Sequence, residues 1–190
     1  MGLSFKVSDK ELLSAKNRIF IETGIPELEK NGFSESPFFG HLFGKNNLND
    51  FTYEMCRLSN LSILEIITTH ISRGDKYIKI YLNIFRLHPQ LHSLSLLNEK
   101  DGMNFGLPPN SLTNMRLRSD DYKGPPLIYI LFCPEHKIGS FSTEKGFNRE
   151  LSKLRELIKK DMLNIDSFVR RWYELYQINQ TDWEGNVIKV

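Results

Sequence analysis

Cysteine is scarce in this chain: only Cys56 and Cys133 occur, far apart and outside any CxxC pair. That excludes a disulfide framework and a cysteine-rich zinc site, and it suits two buried thiols in a reducing compartment. An excess of one charge is lacking too. The 25 basic and 23 acidic side chains leave a formal charge of +2, so no whole-molecule field draws the protein to nucleic acid or anionic lipid. No run approaches the roughly 20 apolar residues of a membrane span. The opening MGLSFKVSDKELLSAK has no apolar leader core, so a cytoplasmic setting without a membrane partner is expected.

Catalytic signatures are missing as well. There is no GxxxxGK[ST], no GxGxxG behind a strand and no GxSxG, which removes the usual phosphate-cradling loops and the nucleophile elbow. No cofactor is called for.

What is present is an ordinary globular composition, 40% hydrophobic and 25% charged, with 13 phenylalanines. Such a chain suits one domain spanning 1–190. Ser8-Asp9-Lys10-Glu11 forms a capping box, since Ser8 can accept a backbone N–H three residues on while Glu11 reaches back. A helix follows, with Leu12, Ala15, Ile19 and Phe20 on one stripe and Gly24 with Pro26 as its expected stop. A short helical turn from Glu27 to Asn31 should end at Gly32. The loop 33–50 should pack through Phe38, Phe39, Leu42 and Phe43.

Phe51 to Leu58 alternates as a strand, and Ser59-Asn60 is its turn into LSILEIITTHISRGDKYIKIYLNIFRL, residues 61–87. Two β-branched runs around Arg73-Gly74-Asp75 read as a long hairpin, with the glycine supplying a turn rather than an adhesion motif. Between 88 and 124 prolines and glycines cut the chain, and 93–97 and 112–118 are weak candidate strands. The apolar run 127–133 predicts a buried strand. Helical spacing returns over 149–161 and again at Phe168, Trp172 and Leu175 after a break near Asn164, while 183–190 should be loose unless Trp183 and Val187 dock. The sum is α+β: an antiparallel meander of about four to six strands covered by an N-terminal helix and C-terminal helices.

A three-residue turn at 73–75 would set Leu64, Ile66, Thr68 and His70 against Ile84, Leu82, Ile80 and Ile78 on one core face. The other face would carry Ile63 and Ile67 with Tyr77, Tyr81 and Phe85, which are the expected partner-binding residues if the chain itself does not cover them. A two-residue turn would shift the register and mix the faces.

His70, His88, His92, Cys133 and His136 are the candidates for a ligand or metal site assembled by folding. His88 and His92 have ligand spacing only on a helix, which Pro89 disfavours, and Cys133 with His136 supplies two ligands of four. Lys153, Arg155, Lys159, Lys160, Arg170 and Arg171, with Arg116 and Arg118, are interleaved with acids, the pattern of a solvated helix face more than of a phosphate track.

A helix end Leu28-Glu-Lys-Asn-Gly32-Phe33, the strand Phe51-Thr-Tyr53, an Ile-rich strand and then Tyr81-Leu-Asn83-Ile84-Phe85 resemble the bacterial family called domain of unknown function 4304. The resemblance covers roughly the first half. It implies α+β architecture and a bacterial source, and it carries no catalytic residues. The function expected is a non-catalytic cytosolic interaction module that binds another protein, immunity-like, or pairs with its own copy. The alternatives are a small enzyme or ligand-binding protein using the dispersed histidines, and nucleic-acid association through the C-terminal basic residues.

Overall fold

The computed structural model describes residues 5–122 and 134–188. Helix α1 (Asp9–Ile19) starts at the expected capping box: Ser8 Oγ accepts from Glu11 N–H at 3.3 Å, and Glu11 accepts from Ser8 N–H at 2.8 Å. Gly24 and Pro26 do not stop it. The helix runs through a π turn (Phe20–Gly24) into α2 (Ile25–Lys30). Pro26 falls in the first turn of α2, directly after the π turn, where the ladder is already widened by the Ile25 N–H to Phe20 O bond. Gly24 is needed for space, since a Cβ there would lie 2.6 Å from Phe20 Cδ2 and 3.3 Å from Ile158 Cγ2.

Seven strands follow: β1 (Ser34–Glu35), β2 (Phe43–Lys45), β3 (Phe51–Asn60), β4 (Ile63–Ile71), β5 (Lys79–Leu87), β6 (Met115–Arg116) and β7 (Asn179–Thr181). They form one sheet in the order β1-β3-β4-β5-β6, with β2 also on β3 and β7 also on β5. Every pairing is antiparallel except β5 with β7, which runs parallel. The α+β class and the helix-covered sheet are as the sequence implies. The candidate strand 93–97 is instead a 3-10 turn (Leu94–Leu97), and of 112–118 only β6 is strand. The run 127–133 lies outside the described residues. Helices α3 (Glu144–Leu163) and α4 (Ile165–Leu175) meet at Asn164, the expected break.

The hairpin register differs from that of a three-residue turn. Leu64 stands opposite Phe85, Ile67 opposite Leu82 and His70 opposite Lys79. The physical reason is the connection, Ser72 to Ile78, which is drawn out to bind elsewhere. Tyr77 bridges to Lys137, Ile78 N–H donates to His136 O at 2.8 Å, and Ile138 N–H donates to Lys76 O at 3.0 Å. Lys16, buried in mid-helix, donates its ammonium to the carbonyls of Ser72 (2.9 Å), Tyr77 (3.2 Å) and Asp75.

An offset of one residue exchanges faces. Ile63, Ile67 and Ile71 therefore join Ile78, Ile80, Leu82 and Ile84 beneath the helices, packed with Phe20, Leu28, Ile158, Met162, Ile165 and Trp172. The opposite face sets Leu64, Ile66, Phe85 and Leu87 with Cys56 under Phe38, Leu91, Leu97 and Phe105. Both faces are cores, the second roofed by 3-10 turns in place of helices. The tail docks on this roof: Trp183 packs against it and donates from Nε1 to Pro89 O at 2.8 Å. Gly185, at φ 86°, presses to where a Cβ would be 2.6 Å from Phe105 N.

Candidate partner-binding edge

The five residues expected to make one partner surface do not share one. Ile63 and Ile67 are buried under the helices, and Phe85 is 0% exposed, its ring centroid 4.8 Å from that of Phe105 on the other face. The register offset is the cause. Tyr81, half-buried, meets His70 edge to face at 5.8 Å. Tyr77 lies beneath the Arg116 guanidinium at 5.1 Å and reaches Glu135 at 3.4 Å.

The histidine candidates have separate surroundings. His70 is exposed beside Thr52 Oγ1 at 3.3 Å, His88 lines a cavity at the far end of the hairpin, and His92 is exposed. His136 is buried against Asp161 at 2.7 Å, and Cys133 lies outside the described residues. Among the described residues no three His, Cys, Asp or Glu side chains converge to hold a metal ion. The His136 contact belongs to a buried knot: Asp161 also takes a two-pronged bond from Arg118, at 2.7 and 2.6 Å. Burial pushes the Asp161 carboxyl up, but the bonds from Arg118 and His136 outweigh it and hold the group below its usual range. Such a knot ties α3 to the sheet's rim.

The C-terminal cations are largely spent on neighbours. Arg155 pairs with Glu22 at 2.9 Å, Lys153 with Glu150 at 2.8 Å, and Arg171 with Glu174 at 2.5 Å. Paired charges of this kind release few counterions and make a poor phosphate track.

The edge beside β3 is different. Strands β1 and β2 flank β3 on the same side, and among the described residues neither has a neighbour beyond it. Their connecting loop was expected to pack through four side chains, yet only Phe38 is buried. Phe39 is 76% exposed, and Leu42 and Phe43 also face solvent, as does Leu48 at 80%. The cause is the short excursion 36–42, which can turn just one of two adjacent aromatic side chains inward.

At the same edge lies a cavity of about 400 Å³ between α1 and the end of β2, floored by Leu13 and Phe51 and rimmed by Lys10, Lys45 and Arg73. Among the described residues none of the three cationic side chains has an ion pair or hydrogen bond. Asp9 and Asp50 are close enough to act on Lys16, but they do not line the cavity. Its walls are fixed from below. Asn46 Oδ1 accepts from Leu48 and Asp50 N–H at 3.0 and 3.1 Å, and Asp50 in turn accepts from Arg73 N–H at 2.7 Å. Apolar floor, basic rim and a rigid frame are what a recognition site for an acidic segment requires. The sequence carried no signal for it beyond the aromatic content of 33–50.

Comparison of the chain with protein-family models, with curated proteins and with solved structures gave no match in any of the three.

Proposed function

We propose that this chain is a non-catalytic interaction module, immunity-like in that it works by binding, whose partner is a protein presenting an acidic segment with apolar side chains. The segment docks along the β1/β2 edge, its carboxylates between Lys10, Lys45 and Arg73 and its apolar groups on Phe43 and Leu48. The observation that carries this reading is the coincidence of three unpaired cations with exposed large apolar residues at the open sheet edge. Solvated cations around a dry floor lose little on binding an anion, because the pairs they form replace water rather than an existing partner. Exposed phenylalanine and leucine at the rim then add burial at roughly 25 cal/mol per Å². No helix among the described residues is long and apolar enough to cross a membrane.

An unbiased peptide-display selection against the intact chain tests the reading. Enriched peptides should combine Asp or Glu with aromatic or aliphatic residues, bind more weakly as salt rises, and lose binding to a Lys45→Glu/Arg73→Glu variant. Enrichment of neutral or basic peptides, or acidic peptides that bind the double variant equally well, would sink it.

A further inference from the structure

A second cavity, of about 580 Å³, opens at the other end of the hairpin from Arg73, where the β3–β4 turn, the end of β5, α4 and β7 meet. Arg86 stands opposite Ile63 and beside Gln180, so its side chain emerges at the rim of the helix-covered face. Tyr173 comes in from α4, and His88, which the sequence offered as a ligand, sits just past the strand. Asn60 uses its Oδ1 to accept from Ser62 and Ile63 N–H at 2.8 and 3.0 Å, which fixes the turn and turns its amide nitrogen to other use.

The lining is rich in donors that have nothing to donate to. Among the described residues the Arg86 guanidinium, the Tyr173 hydroxyl and the side chains of His88 and Gln180 have no hydrogen-bond partner. Among the described residues no carboxylate lines the cavity. The acid nearest along that face, Glu65, is taken up by Arg57 at 2.9 and 2.6 Å. Burial first, and then Glu65, raise the Tyr173 hydroxyl above its ordinary range against the opposing effect of Arg86, so it remains a proton donor at neutral pH. A cavity of this size is much larger than a bare inorganic anion and falls within the range of small-metabolite sites.

We propose that this cavity binds a small metabolite that joins one oxyanion, a phosphate ester or a carboxylate, to a hydroxyl-bearing body. Arg86 takes the anion through its planar fork, which matches two oxygens of either group. Asn60, Gln180 and Tyr173 then serve the hydroxyls. The site is separate from the acidic-partner edge and does not depend on it.

Amide NMR titrations of the full chain at constant ionic strength test the proposal, with glucose 6-phosphate, gluconate, glucose and inorganic phosphate as probes. Saturable shifts centred on Ser62, Leu87 and Gln180 are expected for glucose 6-phosphate or gluconate, and which of the two binds more tightly identifies the anion. Arg86→Ala, an exposed position, should weaken that binding about tenfold or more without altering the rest of the spectrum, and Arg86→Lys should recover part of it. Glucose binding as well as its 6-phosphate, inorganic phosphate binding as well as either organic anion, shifts located elsewhere, unchanged affinity in Arg86→Ala, or no saturable shift with any probe would each overturn it.

Discussion

Lys16 Nζ donates to the carbonyl oxygen of Ser72 at 2.9 Å, so a charged side chain from the middle of the first helix holds the connection of the central hairpin. Two further carbonyls, of Asp75 and Tyr77, share the same ammonium. Replacing Lys16 by Met keeps the bulk and removes all three bonds. The expected cost is about 2 kcal/mol or more, since part-buried acceptors lose their donor. Urea unfolding of the two proteins measures it, and an unchanged midpoint would remove the connection's main anchor.

The same lysine makes stability depend on pH. Burial lowers its pKa from 10.5 to about 8, against the pull of Asp75 and Asp50. A lysine depressed on folding releases its proton in the native state first, so the unfolded chain binds more protons between about 8 and 10.5. Stability should therefore rise across that window on account of Lys16, and the rise should vanish in Lys16→Met. Denaturation midpoints at a series of pH values, compared between the two proteins, read this difference directly.

Asp161→Asn should be the more damaging change. The carboxylate is buried and receives bonds from Arg118 and His136, and removing one partner of such a pair costs about 3–5 kcal/mol. A fall in Tm on the order of 10 °C is expected for a chain of this size. Because its pKa is lowered in the fold, the contribution of Asp161 is complete above its ordinary value of 3.8 and is lost as pH falls through the folded value. Acid unfolding should thus lose part of its steepness in the variant.

Gly24→Ala separates propensity from packing. Alanine is favoured over glycine in a helix by about 1 kcal/mol, yet its Cβ would meet the buried Phe20 ring at 2.6 Å. Overpacking of this kind costs about 1–3 kcal/mol and should win. A more stable Gly24→Ala protein by thermal melting would show that Phe20 can yield.

Adjacent phenylalanines should behave in opposite ways. Phe38 fills the second core beside Phe105, with ring centroids 5.2 Å apart, so Phe38→Ala should cost about 3–5 kcal/mol. Phe39→Ser, at a site 76% exposed, should stay within about 0.5 kcal/mol. Chemical denaturation of both settles whether the loop is anchored by one ring or by two.

The contrast at 38 and 39 also shows how far the sequence could be read. Local patterns were legible: Ser8 with Glu11 marked a helix start, alternation marked β3, β-branched runs marked β4 and β5, and Asn164 marked the break between α3 and α4. Register was not. Whether Phe85 faces Leu64 or Ile63 turns on one residue of connection length, and that length is set by Lys16 and by residues 136–138, distant in the chain. Lys16 itself was hidden, because a lysine within an amphipathic stripe ordinarily reads as solvent-facing. The basic rim was equally hidden, since Lys10, Lys45 and Arg73 lie on three separate elements that no local window joins.

The parallel pairing of β7 with β5 has a consequence for the order of assembly. Phe85 and Asn179 are neighbours in the sheet, and Trp183 and Gly185 seal the roof over Phe105. As the chain is synthesised, the hairpin and the second core, whose buried members end at Phe105, can begin to form early, while the end of β5 that pairs with β7 and the helix-covered core wait for α3, α4 and the residues after them. Contacts so distant in sequence are slow to close. Until they do, the growing chain offers a long strand edge above an apolar floor, so the interval most open to aggregation falls just before synthesis reaches Asn179.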